Sequence, residues 1–462
     1  MKMTIGEILG ACGGTLLEGS ADTVVTSAST DSRKIGKGAL FVPIRGERTD
    51  GHAYLGKAFS SGAAAALTQE GRLFKGSGAL IGVDDTVKAL QKIAAAWRKR
   101  FQIPILGITG SAGKTTTKEL AALALSAGKK VLKTEGNQNS QVGLPLTVLR
   151  LSPEYDAAVL EMGMSEFGEM ARIAEAASPD DAILTNIGFS HIGQLKSKKN
   201  ILREKLHITD RFHPGSVLFL NGDDPMLSAL RGKLPFRTVF FGTRPWCDFR
   251  AENIRSTGEK TEFRFVSPGG ETGRVLLPLP GIHSVLDALA ALAAAWNLGV
   301  PLKKAANALS GFRPASMRMQ IRRSESGITV IDDSYNSSPD AAISSLGVLR
   351  DFPGKRKAAV LADMLELGEY SRSAHLEVGK YAAEAGTDLL VTVGNEAKAI
   401  AEGALAENPR LECYICRDNP EAAGLLKKAL KPGDVVLIKG SRAMKTDEIV
   451  SSLLGKRAGS RS

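Results

Sequence analysis

Gly107-Ile-Thr-Gly-Ser-Ala-Gly-Lys-Thr-Thr-Thr-Lys118 follows the apolar run Ile103-Pro-Ile-Leu-Gly-Ile108 and opens a helix-like stretch. It reads as a phosphate-binding loop between a strand and a helix, and so as a nucleoside-triphosphate site. Backbone N–H groups of Gly110, Ser111, Ala112 and Gly113 are placed to wrap a phosphate at a helix N-terminus. Lys114 can reach the β- and γ-phosphates, and the Thr115 hydroxyl, next to Thr116, can ligate magnesium. The position five residues before Gly113 holds Ile108 instead of the usual glycine, which leaves the shorter Gly-x-x-Gly-Lys-Thr form. A plain glycine-rich turn is the alternative, and Gly-Lys-Thr at a strand-to-helix junction outweighs it.

Outward from that loop, strands and helices alternate: Ile103–Thr109, Lys114–Ser126, Val131–Thr134, Ala157–Met162, Glu166–Ala177, Ala182–Ile187. Such alternation predicts a parallel sheet covered by helices. Between about 237 and 280 the helical period gives way to short strands joined by Gly, Ser and Pro turns, an antiparallel extension of the same domain. Beyond the linker-like Gly311-Phe-Arg-Pro-Ala a second alternation runs to Lys439, a doubly wound domain. The expected architecture is α/β in three domains: a small N-terminal α/β domain over residues 1–102, a central phosphate-loop ATPase domain over 103–313, and a C-terminal Rossmann-like domain over 314–462. Gly455-Lys-Arg-Ala-Gly-Ser-Arg-Ser reads as a frayed polar tail.

Charge and composition narrow the function. The net charge of +11 admits polyanionic small ligands or nucleic acid. Aromatics are only 5% and basic residues are spread along the chain, so no base-stacking signature favours nucleic acid, and phosphorylated substrates are expected instead. The four cysteines make no disulfide framework, and Cys413-Tyr-Ile-Cys416 lacks the second pair of a zinc site. Neither a signal-peptide pattern nor a membrane-length apolar run is present in the sequence, which predicts a cytoplasmic protein, read as a monomer.

Glu161 ends the apolar run Ala157-Ala-Val-Leu-Glu, at the sheet edge where a carboxylate can meet magnesium; a surface glutamate is the alternative. His191 follows Thr185-Asn-Ile-Gly-Phe-Ser and projects from the same edge, with a structural histidine equally open. Lys205 alone would pass for a solvated helix residue. Taken together, the loop at Thr109–Lys118, Leu160-Glu-Met-Gly163, Asn186 with His191, and Lys205 resemble the central domain of the Mur ligase family. That resemblance implies two magnesium ions, with Thr115, Glu161, His191 and Lys205 as ligands, Lys205 being carbamylated by carbon dioxide.

The outer motifs extend the resemblance over nearly the whole chain. Thr30-Asp-Ser-Arg33, Leu40-Phe-Val-Pro-Ile-Arg-Gly-Glu47 and Asp50-Gly-His52 are similar to the family's UDP-binding segments, which implies substrate contacts at Ser32, Arg33, Arg45, Gly46, Asp50 and His52. Asn137, Asn139 and Gly143-Leu-Pro145 resemble a muramyl-peptide loop, with Ser140 where the second asparagine of a pair usually stands. In the third domain the similarity of Ile331-Asp-Asp-Ser-Tyr-Asn336, Leu361-Ala-Asp-Met-Leu-Glu-Leu-Gly-Glu369 and Lys439-Gly-Ser-Arg442 implies Arg318 at the terminal phosphate, Asp333 at the ribose, and Tyr335 with Asn336 at the nucleotide edge. His283-Ser-Val-Leu-Asp287 matches an adenine-contacting segment that usually carries Asn at both Ser284 and Asp287. Ser441, Arg442 and the Asp363–Leu367 loop are expected at the acceptor. The implied reaction is ATP-dependent amide-bond formation between UDP-N-acetylmuramoyl-tripeptide and D-alanyl-D-alanine, with no nucleic-acid partner. Two rivals stand beside it: a sister ligase with another acceptor, and a nucleic-acid-dependent ATPase suggested by charge alone.

Overall fold

The computed structural model describes residues 1–46, 49–69 and 78–455, so Glu47 and the polar tail after Gly455 lie outside the described residues. Two compact units divide the chain: Met1–Thr109 with Lys129–Ile183 and Glu204–Leu218, and Gly110–Gly128 with Leu184–Arg203 and Phe219–Ser462.

In the first unit a five-stranded sheet runs in the order Thr15–Glu18, Ala79–Gly82, Ala63–Thr68, Ala39–Phe41, Ser27–Ser29. The first of these is antiparallel to its neighbour and the rest are parallel. Its helices start where the sequence supplies caps. Thr4 and Glu7 form a reciprocal capping box on Ile5–Cys12, and Asp85 accepts the Val87 and Lys88 N–H groups at the head of Thr86–Arg98. Ala89, Leu90, Ile93, Ala94 and Trp97 then recur at helical spacing and are buried. The last turn of this helix binds outward: Trp97 Nε1 donates to the Leu151 carbonyl at 3.1 Å, and Arg98 to Asp180 at 2.9 Å. Asp180 also accepts the Ile105 N–H at 2.7 Å, which fixes the start of the strand that leads to the phosphate loop.

A nine-stranded sheet runs in the order Thr272–Leu277, Thr261–Val266, Phe249–Ser256, Arg237–Gly242, Val217–Asn221, Asp181–Leu184, Ile105–Thr109, Ala157–Glu161, Val131–Lys133. Ile105–Thr109 and Ala157–Glu161 are parallel, with Glu161 opposite Ile108, and every residue of both is buried. Unbroken apolar runs are what a parallel sheet covered on both faces requires. The three strands from Phe249 to Leu277 are antiparallel, the extension the turn chemistry indicated.

In the second unit the helix Ile282–Asn297, buried from Ala288 to Ala295, packs on the phosphate-loop helix Lys114–Leu125. Small alanine side chains permit that close approach. The C-terminal sheet has six strands in the order Gln320–Arg323, Thr329–Asp332, Val435–Lys439, Lys357–Ala362, Leu389–Val393, Glu412–Cys416. All but the first are parallel. Its last-made strand, Val435–Lys439, lies in the interior of the sheet. Cys413, partly buried, and Cys416, buried, sit on the edge strand as free thiols. Among the described residues no helix is long and apolar enough to cross a membrane.

Candidate active site

The phosphate loop is braced from behind. Asn186 Oδ1 accepts the Ser111 and Ala112 N–H groups at 3.0 and 2.8 Å, Thr185 Oγ1 donates to the Ala112 carbonyl at 2.5 Å, and Ser190 Oγ to the Ser111 carbonyl at 2.9 Å. The Ser111 and Ala112 N–H groups, expected at a phosphate, donate to Asn186 here, and the first turn of the helix that begins at Lys114 presents further N–H groups. Gly113 caps that helix with a left-handed φ of 79°, a conformation that a side chain resists. Lys114 Nζ donates to the Gly110 carbonyl at 2.8 Å, which holds its ammonium over the loop. Thr115 is 8% exposed at the head of the helix, with Thr116 more open.

Asp287 is not displayed toward solvent. It lies buried against this helix, where Oδ1 accepts from Thr117 Oγ1 at 2.8 Å. Burial pushes its carboxyl up to about 8, partly offset by the Thr117 hydroxyl.

His191 has a left-handed φ of 62°, and its Nδ1 stands 2.6 Å from Glu366 Oε2, outside hydrogen-bond alignment. Glu366 is itself left-handed, at φ 65°. Its carbonyl accepts the Gly193 N–H at 3.0 Å, and Tyr370 Oη donates to the Lys196 carbonyl at 3.1 Å. The loop Met364–Tyr370 thereby grips the turn that carries His191.

Arg318 lies between two left-handed methionines, Met317 at φ 60° and Met319 at φ 51°, and its guanidinium stacks 4.0 Å from the Tyr335 ring centroid. Asp333 is committed within the domain: it accepts from Met319 N, from Ser345 Oγ at 2.8 Å and from Lys439 Nζ. Lys439 also donates to the Asn336 carbonyl, and Asn336 Oδ1 accepts the Arg442 N–H. Ser441, 4% exposed, accepts the Leu365 N–H on Oγ and donates its own N–H to the Asp363 carbonyl, so the two segments expected at the acceptor meet. The Arg442 guanidinium pairs with Asp447 at 2.9 Å, at the start of the helix Asp447–Leu453.

In the first unit Glu161 is 2% exposed and accepts from Asn139 Nδ2 at 2.7 Å on Oε1, while its N–H donates to Thr134 Oγ1. Asn137 is exposed in the turn before it. Lys205 is 1% exposed on the helix Lys198–Leu206. Asp31 caps Ser32–Lys34 and pairs with Arg33 through two hydrogen bonds of 2.9 Å; the guanidinium holds that carboxyl down to about 2. Ser32 is buried, whereas the Arg33 side chain is 77% exposed. Arg45 reaches Asp50 at 3.2 Å, and Gly46 N donates to the Thr49 carbonyl. His52 is buried as a bridge: Nδ1 meets Asp50 and Nε2 accepts the Gln69 N–H.

Among the described residues no three His, Cys, Asp or Glu side chains cluster as a metal cage. Magnesium needs none, since it keeps waters and binds through one or two carboxylates with substrate phosphates. A buried Glu161 carboxylate and the Thr115 hydroxyl are donors of that hard-oxygen kind. The residues that sequence reasoning missed are the braces: Asn186 and Thr185 under the loop, Thr117 on Asp287, Lys439 on Asp333, and Glu366 beside His191. All five lie inside the motifs of the sequence, but their residue types do not say which loop they support.

Three family models match: the Mur ligase middle domain over residues 108–295, the Mur ligase glutamate ligase domain over 317–442, and the Mur ligase family catalytic domain over 24–98. The chain is 36% identical to the UDP-N-acetylmuramoyl-tripeptide–D-alanyl-D-alanine ligase of Bacillus subtilis over 459 residues, 98% of this chain and 99% of that one. The crystal structure of MurF from Acinetobacter baumannii superposes with a TM-score of 0.90 at 29% identity, covering 99% of both chains. MurF ligase from Thermotoga maritima, in complex with ADP, superposes with a TM-score of 0.83 at 28% identity, over 94% of this chain and 98% of that one.

Proposed function

The chain belongs to the Mur ligase family, and from that premise we propose that it joins D-alanyl-D-alanine to UDP-N-acetylmuramoyl-tripeptide at the expense of ATP, in peptidoglycan precursor synthesis. The observation that carries this reading is the coextensive match to ligases of that specificity, 98% of this chain against 99% of the Bacillus protein. The terminal carboxylate of the tripeptide attacks the γ-phosphorus, its P–O bond to ADP breaks, and an acyl phosphate forms. The dipeptide amine then attacks that carbonyl, the tetrahedral adduct expels phosphate, and the nitrogen gives up a proton to leave the amide.

Several anions must meet for the first step, and charge stabilisation is what the protein supplies. Lys114 and the first turn of its helix hold the β- and γ-phosphates. Arg318 has its guanidinium flattened on Tyr335 and its backbone pinned by Met319 N on Asp333, so it is aimed before substrate arrives. Magnesium would be held through Thr115, Glu161, His191 and a carbamylated Lys205, and when bound it neutralises charge on the transferring phosphoryl group. Lys205 is 1% exposed, so a carbamate formed on its amine would be sheltered from bulk water. Ser32, Arg33, Arg45, Gly46, Asp50 and His52 serve the UDP end, and Asn137 and Asn139 the muramyl peptide. Asp333, Tyr335 and Asn336 flank the nucleotide, and Ser441 with Arg442 the acceptor. Water-soluble nucleotide substrates support a cytoplasmic location.

Phosphate release measured with each substrate alone and with both together tests the reading. Turnover should require UDP-N-acetylmuramoyl-tripeptide and D-alanyl-D-alanine together. A single amino acid should fail, because it leaves unpaired the buried partners of the second residue's amide and carboxylate. Equal turnover with D-glutamate, L-lysine or diaminopimelate would assign the chain to a sister activity.

A further inference from the structure

Asp287 touches both ends of one helical turn. Its Oδ1 accepts from Thr117 Oγ1 at 2.8 Å, and the same oxygen leaves room only for a glycine at position 113, since a Cβ there would stand 2.8 Å from it. The Thr117 N–H donates to the Gly113 carbonyl at 2.8 Å, the hydrogen bond that closes the first turn of the phosphate-loop helix. Thr117 is 0% exposed and Asp287 is 7% exposed.

Among the described residues no cation acts on this carboxyl. On the facing helix, Lys114 turns to the Gly110 carbonyl and Lys118 to Glu119. One turn earlier on its own helix stands His283, whose charged neighbours are Asp333 and Lys439. Lys303 and Lys304 on the adjoining helix Leu302–Leu309 face solvent. On the packed strands Arg237 lies over Trp296, Arg250 and Arg264 pair with Glu252, and Arg274 pairs with Glu262, beside which Arg255 also acts. Desolvation and the Thr117 hydroxyl are the two influences on Asp287.

We propose that Asp287 is a positioning residue for ATP: as a neutral carboxylic acid it holds the first turn of the phosphate-loop helix in its anion-binding shape, and its ionisation lets the nucleotide go. The proposal rests on the ATP-dependent reading above and deepens it. Neutral, the group carries one donor and one carbonyl acceptor, a set that an asparagine amide reproduces with one N–H to spare, so Asn can take its place without a charge. Ionised, it would put an uncompensated negative charge behind the loop that must accept a polyphosphate. A carboxyl pushed up to about 8 makes that transition accessible just above neutral pH.

Equilibrium binding of ADP to the full chain, by calorimetry without added metal from pH 7 to 9.5, tests this, with thermal unfolding at each pH as the check on folding. Wild type should bind with constant affinity up to about pH 8 and lose about tenfold per pH unit above it. Asp287→Asn, which cannot ionise, should keep the neutral-pH affinity within about threefold and show no alkaline loss. Asp287→Ala should bind about tenfold more weakly throughout, the value of about one buried hydrogen bond. Thr117→Val keeps shape while removing the hydroxyl that lowers the Asp287 transition, so it should move the alkaline limb to higher pH. An unchanged limb in Asp287→Asn, an Asn variant no better than Ala, or an unmoved limb in Thr117→Val overturns the proposal. Folded wild type that binds no ADP at pH 7 overturns the ATP reading beneath it instead.

Discussion

Lys114, proposed at the transferred phosphate, is expected to matter for chemistry and little for stability. Its ammonium rests on a loop carbonyl and fills no core space, so Lys114→Ala should lower ligation by about 10²–10³-fold. The melting temperature should stay within about 2 °C, as for substitutions outside the core. Loss of activity with a collapsed melting curve would mean that the residue holds the loop together. Lys205 is the opposite case, buried and expected to carry a covalent carbamate. Protein equilibrated with carbon-13 bicarbonate should show one carbamate carbon resonance, absent in Lys205→Ala, and a short carboxylic acid should restore part of that variant's turnover. A wild-type spectrum without the resonance removes the carbamate. Residue types in the phosphate loop were legible because their spacing is itself the mechanism. The state of Asp287 was not, since a carboxyl's protonation depends on what is packed around it: burial raises it and a threonine hydroxyl from another helix partly offsets that.

Elements carry the next layer. The loop Met364–Tyr370 meets the His191 turn through left-handed Glu366 and through Gly193, where a Cβ would stand 2.8 Å from the Glu366 carbonyl. Gly193→Ala should therefore cost about 1–3 kcal/mol, read as a lower denaturant midpoint at unchanged slope. Ligation should fall further than ADP binding does, because the loop proposed at the acceptor moves while the phosphate loop does not. Equal losses in both would show that the junction serves stability alone. The parallel strands, the antiparallel extension and the caps at Thr4 and Asp85 were readable from periodicity and side-chain chemistry, being local. The grip of Glu366 on the His191 turn was not. It joins residues far apart in sequence through backbone angles that no residue type announces, glutamate and histidine being unusual left-handed residues.

For the whole molecule, the division of labour should be visible in kinetics. Arg33 is exposed in the first unit and paired with Asp31, so Arg33→Ala should raise KM for the UDP-linked substrate about 10–100-fold, as for a hydrogen bond to a charged group, and leave KM for ATP nearly unchanged. Parallel rises in both would place its effect on stability. That the chain is α/β and built in several parts could be read from length and from the two alternating runs. Which domains accept which substrate came from resemblance, because composition and a charge of +11 do not distinguish one phosphorylated ligand from another. The placement of Val435–Lys439 between Thr329–Asp332 and Lys357–Ala362 bears on how the chain is made. On the ribosome, two strands emerge early and must wait, their facing edges unpaired, until roughly the last strand is synthesised. Asp333 waits with them for Lys439. During that interval the growing chain offers adhesive edges to neighbouring nascent chains, so this domain is where a need for chaperone protection during translation is concentrated.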